Sequence, residues 1–391
     1  MRILVVHNYY GDYGFGGEGQ VAAGEVDFLK AHGHEVLFYR RTNDEFYKLS
    51  PLGKLRQFMR IGWNKQAKAE IGKVLDEFKP DVMHVHNYRF MLSPSIFMAA
   101  KERGIRTVQT LHNYRLLAPC GSLQDRSART CERCVQDRKY LRFLLRGCTG
   151  GGFANRLMRY ISFFSSIKNR YRTDIVDCYI TLSEFLYNKL VAAGMPTDKL
   201  IIKPNFLVDP TVGGELPPEG AGAICIGRVS EEKGVAKLLE AWGNWDYPLA
   251  IVGDGPLREE LQKKFTNPAI SWLGKLDHAA TMERLKTARF LAFPSTCYEG
   301  LPLAITEADS LGIPTVAEAI GTRLGLVIDE VNGLLYNSGD IAAMRAQYHK
   351  MAELPAEKYA AMRNAARNTY LERFTPERVY PLLLKAYGRE P

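Results

Sequence analysis

Short, continuous apolar runs recur along this chain, each followed by an amphipathic stretch, and that alternation restricts the fold more than any other feature. In the first half the runs are RILVVH (2–7), HEVLFYR (34–40), PDVMHVHN (80–87), RTVQTLHN (106–113), VDCYITLS (176–183) and KLIIKPN (199–205). In the second they are AGAICIGRV (221–229), PLAIVGDGP (248–256), ISWLGKL (270–276), RFLAFPS (289–295), PTVAEA (314–319) and GLLYNSG (333–339). A strand that is apolar along its whole length is buried on both faces, the mark of a parallel sheet covered by helices on each side. Helical patterns fill the spaces: QVAAGEVDFLKAHG (20–33), residues 54–78, SIFMAAKERG (95–104), EFLYNKLVAAG (184–194), GVAKLLEAWGNW (234–245), REELQKKFTN (258–267), HAATMERLKTA (278–288) and GLPLAITEADSLG (300–312). The expected class is α/β, built as two doubly wound domains.

The segment 204–222, rich in Pro and Gly and without helical period, reads as the linker between them. The expected organisation is therefore a first domain over 1–205, interrupted by a cysteine-rich insert at 118–150, a second over 206–370, and a terminal helix over 371–391. A length of 391 residues suits two such domains. Ligands in these sheets bind beyond the carboxyl ends of the strands, so two domains facing each other would place a site in a central cleft. No apolar run approaches the ~18 residues of a membrane span, and the N-terminus lacks the longer apolar region of a signal peptide. The expected location is the cytoplasm, with peripheral contact at the cytoplasmic face of the membrane.

Charge is unevenly shared. The first 200 residues hold 31 Lys and Arg against 19 Asp and Glu, a net of +12, whereas the remainder holds 21 against 24. Two stretches carry the excess. Lys54, Arg56, Arg60, Lys65, Lys68 and Lys73 alternate with Leu55, Phe58, Met59, Ile61 and Trp63; Arg138, Arg142, Arg146, Arg156, Arg159, Lys168, Arg170 and Arg172 alternate with Phe, Leu and Tyr. Basic and aromatic residues at helical spacing suit an anionic membrane surface. They also suit nucleic acid, or a solvated helix face over an apolar underside.

Of the seven cysteines, Cys178, Cys225 and Cys297 fall in or near strands and are expected to be buried and reduced. Cys120, Cys131, Cys134 and Cys148 are spaced C-x10-C-x2-C-x13-C. In a reducing compartment this pattern suits a structural zinc ion held by four thiolates. Free thiols in an inserted loop, or a redox pair, are the alternatives.

The polar residues that could do chemistry collect at strand ends. Gly16 and Gly17 lie between the first strand and the first helix, where glycine lets backbone approach an anion at a helix start. Gly227 and Arg228 end a strand, and Lys233 and Gly234 open the next helix; Arg and Lys there make a phosphate clamp. Gly253 sits in the turn after another strand. Glu299-Gly300-Leu301-Pro302 leads into a helix containing Glu307, and a carboxylate that accepts two hydroxyl donors suits a vicinal diol. The N–H groups near Leu303 and Ala304 could hold a diphosphate. His84 and His86, His112 and Asn113 stand at neighbouring strand tips, a candidate polar or acceptor site.

These residues, in this order, resemble the retaining glycosyltransferases of family 4, group 1, in the subset that assembles bacterial polysaccharides. The carriers are EGLPLAITEADSLGIP (299–314), GRVSEEKG (227–234), IVGDGP (251–256), VNGLL (331–335), the Gly16-Gly17 pair and LHNYR (111–115), over nearly the whole chain. Leu324 and Gly325 stand where many members have Pro-Glu. The resemblance implies a GT-B fold: two Rossmann-like domains, the second holding a nucleotide-diphospho-sugar, UDP- or GDP-linked. It implies that Arg228 and Lys233 hold the diphosphate, Glu299 the sugar hydroxyls, Glu307 the ribose diol, and that Gly17 approaches the phosphates. His112 would contact the donor sugar near the reacting carbon. The implied acceptor is a glycan or lipid-linked glycan of the cell envelope, such as lipopolysaccharide; no catalytic metal and no nucleic acid are expected. An epimerase or glycan phosphorylase on the same architecture, a basic zinc-stapled nucleic-acid binder and a non-catalytic sugar-nucleotide sensor are the competing readings.

Overall fold

The first strand, β1 (Arg2–Tyr9, RILVVHNY), is buried from Ile3 onward, as expected of a strand inside a parallel sheet. In the computed structural model, residues 1–11, 17–148, 152–171, 175–211 and 213–390 are described, the side chains of 167–171 excepted. The chain divides into two compact units: Met1–Arg126 with Cys131–Asn205 and the residues from Tyr380 onward, and Ser127–Thr130 with Phe206–Val379.

In the first unit β1 is joined by β2 (Glu35–Thr42), β3 (Val82–Asn87), β4 (Arg106–Leu111), β5 (Cys178–Thr181) and β6 (Leu200–Ile202) in the order β2-β1-β3-β4-β5-β6, every pair parallel. Its helices are α1 (Gly17–Ala31), α2 (Asp44–Tyr47), α3 (Pro51–Arg60), α4 (Lys65–Phe78), α5 (Ser95–Lys101), α6 (Arg133–Asp137), α7 (Arg142–Arg146), α8 (Phe153–Tyr171) and α9 (Glu184–Ala192). Ile3, Val5, Val26, Leu29, Val82, Val108 and Ile180 form a core closed by Leu383, Ala386 and Tyr387 from the end of the chain.

The second unit has β7 (Ala223–Ile226), β8 (Leu249–Val252), β9 (Ile270–Gly274), β10 (Phe290–Phe293), β11 (Thr315–Glu318) and β12 (Gly333–Tyr336), ordered β12-β11-β10-β7-β8-β9 and again wholly parallel. Around it lie α10 (Val235–Trp242), α11 (Arg258–Lys264), α12 (His278–Lys286), α13 (Leu303–Ser310), α14 (Ile341–Ala352) and α15 (Ala356–Arg373); the last helix, α16 (Pro376–Ala386), belongs from Tyr380 onward to the first unit. Leu238, Leu239, Trp242, Ile251, Phe290, Val316, Leu334 and Tyr348 form its core. The α/β class read from the sequence is the class observed.

From Tyr380 onward the end of the chain packs as part of the first unit: His34 Nε2 lies 2.7 Å from the Tyr380 hydroxyl, and Arg106 Nε donates to the Ala386 carbonyl at 2.9 Å. One expected element is divided. Residues 54–78 form two helices, α3 and α4, broken at 61–64. Asn64 makes the break: its side-chain oxygen accepts from Gln66 N and Ala67 N at 3.1 Å each, capping α4, while its Nδ2 donates to the Met91 carbonyl at 3.1 Å. Apolar spacing runs on through this point, so periodicity misses it.

Phe290 is fully buried in a sheet covered on both faces. Phe290→Ala should lower the stability of the second unit by about 3–5 kcal/mol. Urea unfolding followed by Trp242 and Trp245 fluorescence checks this; a loss under about 1 kcal/mol would contradict the packing described.

Candidate active site

In the second unit the candidates sit beyond the carboxyl ends of β7, β8 and β10. Gly253 follows β8 with φ +140°, and a Cβ there would come within 1.8 Å of the Gly227 carbonyl oxygen. Gly234 closes the short turn Glu231–Lys233 with φ +69°, and a Cβ there would meet the Pro294 carbonyl oxygen at 2.1 Å. Only glycine permits such close strand-end backbones. The Glu232 carbonyl accepts from Thr296 N at 3.0 Å, lacing this turn to the loop after β10.

That lacing brings two predicted residues together. Lys233 Nζ lies 2.9 Å from Glu299 Oε1, both side chains largely covered. Burial works against either charge, but each partner more than offsets it: Lys233 is raised above the usual lysine value and Glu299 held below the usual carboxylate range. Thr322 Oγ1 donates to the Glu299 carbonyl at 2.8 Å, fixing the loop from behind. Arg323, 1% exposed, donates from Nε to the Glu318 carbonyl at 2.9 Å and from Nη1 to the Cys297 carbonyl at 3.3 Å.

Glu307 lies in the second turn of α13, away from solvent, with Oε1 3.0 Å from His278 Nε2. The hydrogen bond to Glu307 raises His278 above the usual histidine value. Leu303 and Ala304 are the first two residues of α13, whose Pro302 cap supplies no side-chain hydrogen bond. Leu301 is buried, Gly300 lies in the loop between, and Arg228 is exposed.

The first unit holds a buried polar cluster at the ends of β1, β3 and β4. Glu25, on the inward face of α1 and 1% exposed, places Oε1 2.9 Å from His84 Nδ1 and 3.2 Å from His86 Nε2. Its other oxygen pairs with Lys203 Nζ, also 1% exposed. Burial alone would raise this carboxyl; Lys203, then His84 and His86, hold it well below the ordinary range. The charged carboxylate, an acceptor only, therefore accepts hydrogen bonds from His84 Nδ1 and His86 Nε2. His86 turns Nδ1 to His112 Nε2 at 3.0 Å, the two rings stacked. His112 is held well below the usual histidine value, first by burial and then by His86, so it is neutral near pH 7.

The structure thus revises two expectations. His84 is the third residue of β3 and not at its tip; it is wholly enclosed, 2.9 Å from the Tyr387 hydroxyl and 2.8 Å from Thr110 Oγ1, and cannot touch an acceptor. His86 is likewise buried, beside His112, which is half-buried just past β4. Asn113 Oδ1 accepts from Arg115 N at 3.2 Å and shapes the turn that follows. Gly17 starts α1; Gly16 lies outside the described residues. Glu25, Lys203 and His278 were not legible as site residues, since each is a lone polar residue, on α1, just past β6 and on α12, until the fold pairs it.

Cys120, Cys131, Cys134 and Cys148 are free thiols, all half-buried. They lie near enough to act on one another: Cys134 is pushed up to about 11 by burial, then by Cys120, Cys148 and Cys131. Four thiols suit zinc chemically, but among the described residues the group whose ligand atoms all lie within 4.8 Å is a different one, Glu25, His84 and His86. There the Lys203 ammonium already neutralises the carboxylate, so that group is an ion-paired network.

The family description "Glycosyltransferase Family 4" matches residues 15–209, and "Glycosyl transferases group 1" matches residues 214–369. The chain belongs to this glycosyltransferase family. Among curated family relatives, the GDP-mannose-dependent alpha-mannosyltransferase of Corynebacterium glutamicum is 34% identical over 125 residues, 32% of this chain and 30% of that protein. The lipopolysaccharide 1,6-galactosyltransferase of Escherichia coli is 28% identical over 180 residues, 42% of this chain and 50% of that protein. The chain thus spans half or less of the length of these relatives. Among solved structures, HepE of Anabaena in complex with UDP superposes with a TM-score of 0.67 at 17% identity, covering 99% of this chain and 100% of that one.

Within this family member the histidine cluster predicts an acid response. Burial, then His86, lowers His7 to about 3, and burial lowers His84 to about 4, although Glu25 opposes it. Unfolded, both bind protons near pH 6.5; folded, they do not, so the unfolded chain gains protons first as the pH falls. Stability should be complete above about pH 6.5 and decline towards about pH 4, with Glu25 adding to the loss below about pH 4.5. The urea midpoint of the first unit should fall across this window, less steeply in His84→Gln. A midpoint independent of pH would contradict the cluster.

Proposed function

We propose that this chain transfers a sugar from a nucleotide-diphospho-sugar to a glycan or lipid-linked acceptor in cell-envelope polysaccharide synthesis, with retention of anomeric configuration. The observation that carries the reading is the Lys233–Glu299 pair, 2.9 Å apart on a loop system closed by glycines at β7 and β8. An ammonium and a carboxylate held side by side, both charged, match a sugar diphosphate: the cation for the phosphates, the anion for the sugar hydroxyls.

In this reading Lys233, exposed Arg228 and the first N–H groups of α13 stabilise the departing diphosphate as negative charge builds on it. These groups supply the positive charge that a metal would otherwise provide. Glu307, steadied by His278, accepts from the ribose diol. His112 is neutral, with its tautomer fixed through His86, and offers a polar edge to the sugar near the reacting carbon. The bond from the anomeric carbon to phosphate oxygen breaks, the acceptor oxygen bonds to that carbon on the same face, and the acceptor proton passes to the leaving phosphate. A zinc ion on the four clustered cysteines would be structural and outside this chemistry.

The lipid-linked form of the acceptor is supported by α3, α7 and α8, which contain no acidic residue. On α3, Leu52, Leu55 and Met59 are exposed between Lys54, Arg56 and Arg60, and Leu145 of α7 and Phe153 of α8 are exposed as well. Such faces suit a peripheral contact with an anionic membrane, at the cytoplasmic side in this reading. Among the described residues no helix is long and apolar enough to cross one.

The test is transfer from radiolabelled nucleotide sugars to envelope lipid extract. Lys233→Ala and Glu307→Ala should each lower the rate at least about a hundredfold while the melting temperature stays near that of the wild type. Wild-type rates in both variants would overturn the site, and an epimerised nucleotide sugar or a phosphate-dependent sugar phosphate would overturn the reaction.

A further inference from the structure

Within the first unit, a cavity of about 200 Å³, open to solvent, is lined by residues that include Tyr10, Arg89, Arg115, Asn155 and Arg159. The three arginines have unusual partners. Arg89 donates from Nη1 to Ser162 Oγ at 3.1 Å, and from Nη2 to Ser166 Oγ and to the Arg115 carbonyl at 3.2 Å each. Arg159 donates from Nε to Asn155 Oδ1 at 3.1 Å and from Nη1 to the Cys120 carbonyl at 3.4 Å. Arg115 lies over the Tyr10 ring, 5.0 Å from its centre. Among the described residues none of the three forms an ion pair with a carboxylate; every partner named is neutral.

Their charges also act on one another. Arg89 is lowered to about 10, chiefly by burial, with Arg115 and Arg159 contributing, and Arg159 is lowered by burial and by Arg115. Among the described residues a nearby carboxyl is Glu18, which accepts from the Tyr10 hydroxyl at 3.2 Å and is pushed up to about 7 by burial, so it brings less than a full negative charge near neutral pH.

Burial works against Arg115 too, but Tyr10 and then the partly charged Glu18 leave it raised above the usual arginine value; holding like-charged guanidinium groups together with so little countercharge is costly, and the fold goes to some length to do it. The Arg89 carbonyl accepts from Asn8 Nδ2 at 2.6 Å, and its N–H donates to Asn87 Oδ1 at 3.0 Å. The next residue, Phe90, is held at φ +88°, a strained conformation for a bulky side chain, with Gln57 Nε2 donating to its carbonyl at 2.7 Å. A site that fixes three guanidinium groups around a cavity is complementary to an anion with several oxygens in different directions, which is what a phosphate or diphosphate offers.

We propose that the cavity of Arg89, Arg115 and Arg159 binds the phosphate or diphosphate of the acceptor, so that the acceptor is a phosphorylated compound. The proposal rests on the reading above for the ligand's part in transfer. The phosphate could be joined to a lipid or to a glycan. The acid-free helix α8 supplies Asn155 and Arg159 to the cavity and also carries exposed Phe153, which favours a lipid.

Isothermal titration of the full chain tests it with four probes: farnesyl diphosphate, glucose 1-phosphate, farnesol and UDP or GDP. The variants are Arg115→Gln and Arg159→Gln, each checked by its melting curve; Arg89 is left intact because its burial puts folding at risk. Farnesyl diphosphate should bind, farnesol should not, and each variant should weaken the diphosphate at least tenfold with nucleoside diphosphate affinity unchanged. Glucose 1-phosphate binding as tightly as farnesyl diphosphate, with the same loss in the variants, supports the phosphate site and identifies a glycan carrier. Binding of both phosphate probes unaffected by both variants, or absent from the wild type, overturns the proposal. So does an equal loss of nucleoside diphosphate affinity, which would assign the arginines to the donor. Absence of nucleoside diphosphate binding by the wild type, with the phosphate probes behaving as expected, would instead fail the donor reading and leave this site standing.

Discussion

A parallel sheet covered by helices on both faces leaves polar side chains few places to work. Its strand interiors are closed to solvent, and each strand must be returned to the same edge by a crossover. What remains open is the row of loops at the carboxyl ends, and both units of this chain put their charged and histidine residues there. In the second unit the consequence is a set of glycine turns whose backbones nearly touch, with a Cβ on Gly253 denied any space by Gly227. In the first, the consequence is a cluster of histidines wired to one buried carboxylate.

That carboxylate, Glu25, illustrates how charge is tolerated inside. An ionised group with 1% of its surface exposed survives only if its surroundings replace the water it lost. Lys203 supplies the countercharge, and His84 and His86 supply donors to the oxygen that Lys203 does not take. The same arrangement orders His112 two hydrogen bonds away. A residue far from solvent thereby sets which nitrogen of a surface-facing ring carries the proton. In the second unit Lys233 and Glu299 use the same device nearer to water, each maintaining the other's charge.

Much of this was legible in the sequence because it follows from periodicity. Twelve strands pair into two wholly parallel sheets where twelve apolar runs stand, and the strand-end residues Lys233, Glu299 and His112 emerge where those runs stop. What was not legible depends on contacts between distant residues. Nothing in HVHN distinguishes His84, sealed inside, from His86, one step from the surface; depth along a strand is set by the elements packed on it. Glu25 and Lys203 are 178 positions apart and look like ordinary surface charges until α1 and the end of β6 come together. The break at Asn64 escaped because a side chain, not the apolar pattern, ends one helix and starts the next. The ring of Arg89, Arg115 and Arg159 draws on three separate segments for the same reason.

In the proposed reaction the Lys233–Glu299 loop system receives a nucleoside diphosphate. Thermal unfolding of the intact chain with UDP, GDP, ADP, TDP and CMP tests it most directly. A ligand at about a hundredfold its Kd adds about 2.7 kcal/mol of stability, enough to move a melt by several degrees. One nucleoside diphosphate is expected to raise the melting temperature, and Lys233→Ala to abolish the shift. A shift of the same size in Lys233→Ala and the wild type would contradict it.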